Sequence, residues 1–334
     1  MRVLVTGGLG YLGSHTALSL LKNKCEVFIL DNLYNCKIET LKKLQNLTNK
    51  KITFYKNDIR ETEVVKEILK KNKINSVLHF AGLKSAKESI IKKEEYFDVN
   101  VNGTNSILEA MEQTIKTQKN FVFSSSACVY GNPTKLPIKE THSTIPLNPY
   151  GATKLKIEES LIKTKKEKEG WRIISLRYFN PLGSEDTYNL GESFKNLPEN
   201  LMPFLTQVVD NKYPYLKVYG KDYNTHDGTA VRDYIHVLDL ADAHFKALIK
   251  LEKKELNFEI INLGTGKGYS VLEIIDAFEE VNNVKVPFRF YPRREGDATA
   301  TFADNTKAKK LLNWLPSRDI KDMCKDSWNY QKNN

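Results

Sequence analysis

Arg2-Val3-Leu4-Val5-Thr6-Gly7-Gly8-Leu9-Gly10-Tyr11-Leu12-Gly13 decides the fold. An apolar, β-branched run gives way to glycines at 7, 8, 10 and 13, and a helical pattern continues through Thr16 to Lys22. Glycine meets two needs in such a turn. The backbone takes angles that a Cβ disfavours, and a pyrophosphate can come close to it. The helix N-terminus behind the turn offers free N–H groups to the anion. A second strand, Glu26 to Leu30, ends at Asp31. That is about 20 residues on, where a dinucleotide fingerprint expects its acid. A carboxylate there accepts from the adenosine ribose hydroxyls and repels a 2′-phosphate, so NAD is expected rather than NADP. The structural alternative is a plain glycine turn with Asp31 as a helix cap. Strand, turn, helix and acid together favour the cofactor.

Outward from this stretch, strand candidates recur at Ile52 to Tyr55, Ser76 to Phe80, Asn120 to Ser124 and Arg172 to Tyr178. Helical patterns at Glu63 to Lys71, Glu94 to Gln113 and Pro149 to Lys168 separate them. This alternation predicts an α/β fold with a Rossmann-type, doubly wound parallel sheet. After Tyr178 the pattern loosens into a Gly- and Asn-rich loop, Asn180 to Asn200. We expect residues 1–179 to form the NAD-binding domain and 180–334 a smaller C-terminal substrate-binding domain. A segment near 230–265, with Ile260 to Leu263 as a strand, is expected to return to the main sheet.

The bulk numbers exclude some classes. The charge is +10, but the lysines are dispersed, and no basic stripe interleaved with aromatics is visible, so no nucleic-acid partner is expected. No apolar run is long enough for a transmembrane helix. Met1-Arg2 leads directly into a strand rather than a signal sequence. The four cysteines, Cys25, Cys36, Cys128 and Cys324, have no CxxC or metal spacing, so no metal is expected. A cytoplasmic location follows as the expectation.

Tyr150-Gly151-Ala152-Thr153-Lys154 places a tyrosine and a lysine on one face of a helix. A tyrosine normally titrates near pH 10. An ammonium and an oxidised nicotinamide beside it would lower that value and make Tyr150 a general base. Lys154 would also hold the nicotinamide ribose. Ser126 ends a strand at the carboxyl edge, where sheet ligands bind, and its hydroxyl can relay a proton to the sugar oxygen. Alone, such a Tyr–Lys pair is common by chance and reads as an ordinary amphipathic helix. With the glycine turn and the serine strand it reads as a catalytic set.

At these residues the chain resembles UDP-glucose 4-epimerases, within the extended short-chain dehydrogenase/reductase superfamily. The likeness runs along the whole chain. It includes Val5 to His15, Leu30 to Leu33, His79-Phe80-Ala81-Gly82-Leu83-Lys84, Asn100 to Thr104 and Leu176 to Pro181. It continues in Asn200 to Pro203, Val231 to Val237 and Arg293 to Asp297. The resemblance implies interconversion of UDP-glucose and UDP-galactose through a transient 4-keto sugar, in galactose metabolism. It implies a homodimer packing the helices at Glu94 to Gln113 and Pro149 to Lys168. It places Tyr11, Leu12, Asn32, Asn35, Asp58, Ile59, Phe80, Ala81, Gly82, Lys84 and Tyr178 around NAD, beside Gly7, Gly10, Gly13 and Asp31. It places Lys84, Asn180, Asn200, Leu201, Lys217, Tyr219, Arg232, Arg294 and Asp297 around the UDP-sugar. The guanidinium forks of Arg232 and Arg294 suit a pyrophosphate. A surface ion pair of Arg294 with Glu295 is the plain alternative. Thr301, where hexose-restricted members carry a bulky tyrosine, would leave room for N-acetylated sugars, unless Phe302 closes the pocket instead. Two positions depart from the pattern. Cys128 stands where threonine is common, and Val99 where some members have asparagine.

Other classes compete. A 4,6-dehydratase needs an acid and a base beside the catalytic hydroxyl, which Ala127-Cys128 do not supply. A hexuronate epimerase or decarboxylase wants a cation for the sugar carboxylate. A non-catalytic Rossmann protein would need none of Ser126, Tyr150 and Lys154.

Overall fold

The computed structural model describes residues 1–193, 198, 200–294 and 297–334. Its main sheet uses β1 (Arg2–Thr6), β2 (Glu26–Leu30), β3 (Thr53–Tyr55), β4 (Ser76–His79), β5 (Lys119–Ser126), β6 (Trp171–Tyr178) and β10 (Phe258–Leu263). The spatial order is β10-β6-β5-β4-β1-β2-β3, and every neighbouring pair is parallel. The central strands are buried on both sides, as β5 is along all eight residues, because helices cover both faces. Helices α1 (Tyr11–Lys22), α2 (Glu39–Thr48), α9 (Val237–Glu252) and α11 (Thr306–Leu312) pack on one face. Helices α3 (Thr62–Lys71), α6 (Gly103–Thr114) and α7 (Pro149–Glu167) pack on the other. The expected doubly wound sheet is therefore present, with its direction of winding reversing between β1 and β4.

The second region is built on β9 (Val231–His236), which pairs with β7 (Asn180–Leu182), β11 (Gly268–Ser270) and β13 (Ala300–Thr301). A separate ribbon joins β8 (Leu216–Tyr219) to β12 (Phe288–Tyr291). Helices α8 (Leu201–Val209), α10 (Val271–Asn282) and α12 (Ile320–Asn333) enclose its core.

Local chemistry explains the starts of these elements. Asn148 caps α7 by accepting from the Gly151 N–H at 2.9 Å, and Pro149 occupies the first turn. Ser270 and Glu273 form a reciprocal capping box on α10.

The long helix expected at Glu94 to Gln113 is not continuous. After the short helices α4 (Ala86–Ile91) and α5 (Lys93–Tyr96), residues Phe97–Asn102 form a π-helical segment before α6 begins. The extra residue per turn lets Asn100 reach sideways. Its side chain accepts from the Leu83 N–H at 2.7 Å and donates to Leu83 O at 3.1 Å and to Thr153 Oγ1 at 3.0 Å. The bulge thus ties the loop after β4 to α7. The Asn180 to Asn200 loop also differs from expectation, because its first three residues form β7.

Beyond β10, α11 and Trp314 fold back onto the main sheet's core beside α9. Trp314 is 1 % exposed, and its Nε1–H donates to Asp239 O at 2.9 Å. Trp314→Ala should cost about 3–5 kcal/mol of stability, read as a lower urea midpoint. An unchanged midpoint would show that this segment contributes nothing to the main core.

Candidate active site

A cleft of about 2180 Å³ runs along the carboxyl edge of the main sheet, between the two regions. Such a volume exceeds the roughly 300–1,000 Å³ of a single small-ligand pocket. Every residue expected to act in catalysis or to bind NAD or the UDP-sugar lines it. The turn after β1 contributes Gly7, Gly10, Tyr11, Leu12 and Gly13. The end of β2 brings Asp31, Asn32 and Asn35, and the loop after β3 brings Asp58 and Ile59. Phe80, Ala81, Gly82 and Lys84 follow β4, Ser126 ends β5, Tyr178 ends β6, and Tyr150 and Lys154 come from α7. The opposite wall holds Asn180, Asn200, Leu201, Lys217, Tyr219, Arg232, Arg294, Asp297 and Thr301.

The glycines of the turn divide by what surrounds them. Gly7 has φ +66°, and a Cβ there would lie 2.6 Å from Ala81 N. A Cβ on Gly13 would lie 2.1 Å from Gly7 O. Gly7 is required by the approach of the chain after β4, and Gly13 by the contact of α1 with the end of β1. Gly10 has an ordinary φ of −72°, and its Cβ would meet only Gly7 O, at 3.3 Å. That single contact is tight but far milder than those at positions 7 and 13, so the space beside Gly10 is largely open and the turn fits a dinucleotide pyrophosphate. Asp31 is not a helix cap. Its carboxylate accepts from Leu9 N–H at 3.1 Å, Leu33 N–H at 2.9 Å and the Cys36 thiol at 3.2 Å. This holds it rigidly against the cleft. Asn32 donates to Asp58 at 3.1 Å, and the Arg60 guanidinium beside Asp58 holds that carboxyl down at about 2.

Tyr150 and Lys154 lie one turn apart on the buried face of α7. The Lys154 ammonium donates to Ser124 O at 2.8 Å and sits 5.8 Å from the centre of the Tyr150 ring. Burial lowers Lys154 to about 8. Burial also pushes the Tyr150 phenol well above its usual value, helped by neighbouring Tyr178 and Cys128, while the Ser126 hydroxyl pulls it back. Desolvation of the phenolate is thus the main influence of the protein itself on Tyr150, and the lowering expected from the Lys154 ammonium together with an oxidised nicotinamide has to act against it. Ser126 accepts from the Cys128 N–H at 3.2 Å, which fixes its hydroxyl at the strand end. Tyr178 hydrogen-bonds Ser124 and is pushed up to about 12 by burial.

On the far wall, Arg232 pairs with Asp297 at 3.4 Å. Arg294 lies 4.0 Å over the Tyr219 ring, Lys217 5.1 Å over Tyr291, and Arg289 4.3 Å over Tyr215. The dispersed cations of the sequence become interleaved with rings because β8 and β12 pair in register. Glu295, the alternative partner of Arg294, lies outside the described residues. Thr301 pairs in register with Arg232 and borders the cleft. Phe302 is turned away toward Gly268, so it does not close the pocket.

Some cleft residues escaped the sequence reading. Glu192 pairs with Lys84 at 2.7 Å across the cleft, from a loop with no periodicity to mark it. Cys36 buttresses Asp31, with nothing in its spacing to announce it. Asn100 did lie within a recognised block, but its contact depends on the π-helical segment.

Residues 4–327 match the family model described as GDP-mannose 4,6 dehydratase. The chain is 46% identical over 334 residues to the UDP-glucose 4-epimerase of Bacillus subtilis (strain 168), covering 100% of this chain and 98% of that protein. It is 45% identical over 335 residues to the UDP-glucose 4-epimerase of Pasteurella multocida (strain Pm70), with coverage of 100% and 98%. A solved structure of the Stenotrophomonas maltophila UDP-glucose-4-epimerase, with bound NAD and formylated UDP-arabinopyranose, superposes with a TM-score of 0.97 at 43% identity, covering 100% of this chain and 98% of that one.

The glycine geometry yields a paired test. Gly13→Ala should lose about 1–3 kcal/mol or more of stability through overpacking. Gly10→Ala should melt within about 0.5 kcal/mol of wild type yet release far less dinucleotide on denaturation. Equal retention by Gly10→Ala would mean that the ligand does not approach this turn.

Proposed function

This chain belongs to the UDP-glucose 4-epimerase family, and from that premise we propose that it interconverts UDP-glucose and UDP-galactose with bound NAD. The observation that carries the reading is the convergence of Ser126, Tyr150 and Lys154 with the glycine turn and the arginine wall on one cleft. The residues fit the cofactor. Gly10 would leave room for the pyrophosphate, Asp31 would accept from the adenosine ribose hydroxyls, and Lys154 would hold the nicotinamide ribose. NAD supplies the hydride acceptor that turns C4 of the sugar transiently into a ketone and then restores it.

The chain's own residues do the rest. Tyr150 takes the proton from the 4-hydroxyl, with Ser126 bridging between phenol and sugar oxygen. The cost of a buried phenolate is offset by Lys154 and by the positive charge of the oxidised nicotinamide, the second of the two cations the sequence implied. Arg232 and Arg294 hold the diphosphate, and Asp297 the uridine ribose. The hexose is then anchored only through its phosphates, so it can turn and present its other face before the proton returns. Inversion at C4 follows. Dehydration in the sense of the matched family model's description lacks its residues, since Ala127 and Cys128 beside Ser126 offer neither an acid nor a base, and burial raises the Cys128 thiol further.

The resemblance also supports a homodimer through α6 and α7. Ile162 is the one large apolar side chain exposed on those two helices. A cytoplasmic location accords with the finding that, among the described residues, no helix is long and apolar enough to cross a membrane.

Two measurements check the reading. Tyr150→Phe should lower kcat by about 10²–10⁴-fold while NAD still co-purifies; turnover within threefold of wild type would sink the mechanism. For substrate range, wild type should turn over UDP-N-acetylgalactosamine as well as UDP-galactose. Thr301→Tyr should lose the acetylated sugar selectively. Strain of about 1–3 kcal/mol corresponds to about 5- to 150-fold in kcat/KM. No turnover of the acetylated sugar by wild type, or no selective loss in the variant, would remove Thr301 as the gate.

A further inference from the structure

The face of α7 that carries Tyr150 and Lys154 continues one turn further to Glu158, which is 2 % exposed and does not line the cleft. Its carboxylate is fully engaged. Oε1 accepts from Ser125 Oγ at 2.7 Å, Ser175 Oγ at 3.0 Å and Arg177 Nε at 3.0 Å, and Oε2 accepts from Arg177 Nη2 at 2.6 Å. Ser125 precedes Ser126 on β5, while Ser175 and Arg177 lie on β6. Arg177 continues the network by donating to the Tyr130 hydroxyl at 2.9 Å, and Tyr130 donates to Asn262 on β10 at 2.7 Å. One side chain of the catalytic helix therefore binds both strands whose ends carry Ser126 and Tyr178.

We propose that Glu158 is a positioning residue for the reaction: it locks α7 in register on β5 and β6, so that Lys154 meets Ser124 O and Tyr150 faces Ser126, and it stands as a negative charge behind the Lys154 ammonium. The proposal rests on the epimerase reading above. Geometry makes the lock specific. Residues 150, 154 and 158 share a face by helical spacing, so a slip of α7 that frees Glu158 also withdraws the other two. The electrostatics point the same way. The ionisable groups facing Lys154 are Tyr150 and Glu158 from its own helix, Cys128 from the turn after β5 and His79 from β4. The Phe123 ring of β5 lies 4.9 Å from the ammonium. Burial lowers Lys154 to about 8, and Cys128 and Glu158 oppose that fall. Glu158 thus favours the charged form of Lys154 from behind it.

The sign follows directly. Removing the carboxylate lets Lys154 lose its proton at lower pH, and the ammonium that stabilises the Tyr150 phenolate disappears earlier as pH rises. The test is kcat and KM of the NAD-loaded enzyme for UDP-galactose, followed from neutral into alkaline pH. E158Q should lose about tenfold or more in kcat, keep KM within about twofold, since Glu158 touches no ligand, and move the alkaline limb of the kcat profile down by about half a unit. E158D, which retains the charge on a shorter stem, should return the limb to its wild-type place without restoring the full rate. E158Q leaves Arg177 buried without its partner, so if it fails to fold, E158Q/R177Q, which buries no lone charge, carries the same test and should shift the limb in the same direction. A rate that falls only in proportion to the NAD-loaded fraction, with the limb unmoved, would make Glu158 merely structural and overturn the proposal. An E158D limb like that of E158Q would do the same. Tyr150→Phe separates the two levels: if it retains activity, the epimerase mechanism itself fails, whereas if it is inactive while E158Q is normal, only the role of Glu158 is lost.

Discussion

A helix can rest on the end of a strand only where no side chain intervenes, and the contact of Gly13 with Gly7 O is that condition in its strictest form here. A single methyl at position 13 would stand 2.1 Å from the carbonyl. The contact brings the N-terminus of α1 down onto the carboxyl edge of the sheet, beside the loop that follows β4. The anion-binding end of the helix, the carboxylate of Asp31 and the backbone of Ala81 then occupy one neighbourhood. The winding of the sheet reverses there, which opens the crevice that both ligands share. The opposite wall, with Arg232, Arg294 and Tyr219, has function only because this edge presents something to face.

Much of this was legible in the chain. The strands alternate with helices at spacings that betray a parallel sheet, and Arg2–Thr6 and Glu26–Leu30 fall where the apolar runs put them. The glycine turn, Asp31 and the Tyr150–Lys154 pair are local patterns, each completed within a few residues, so sequence carries them. The rest depends on contacts that no local pattern encodes. The break at Phe97–Asn102 arises because Asn100 satisfies Leu83 and Thr153 at once, a tertiary demand that overrides a good helical period. The start of α9 is hidden for another reason: its N-cap is His236, accepting from the Leu238 N–H, rather than a serine, threonine, asparagine or aspartate. The burial that opposes ionisation of Tyr150 is hidden for a related reason. Sequence names the neighbour that lowers a pKa but not the depth of burial that raises it.

The site is held in tension between burial and charge. Lys154, Tyr150 and Tyr178 are all nearly excluded from water, and each is disfavoured in its charged form. Such a chamber is electrostatically quiet by itself. Charges introduced with the ligands act in it at low dielectric, where each is worth far more than it would be in water. On the proposed mechanism, the phenol is held neutral by burial until a positive ring stands beside it.

The pairing of β10 with β6 also bears on how the molecule could have been assembled. The main sheet is finished by a strand drawn from beyond residue 257, and the core behind it by Trp314. A chain ending after β6 would leave that strand with a bare row of backbone donors and acceptors along an apolar edge, an open template for pairing with other copies. The nucleotide-binding half is therefore not a detachable module. It becomes a closed surface only once nearly the whole polypeptide has been made, and the two halves of the cleft reach the folded state as a single inheritance.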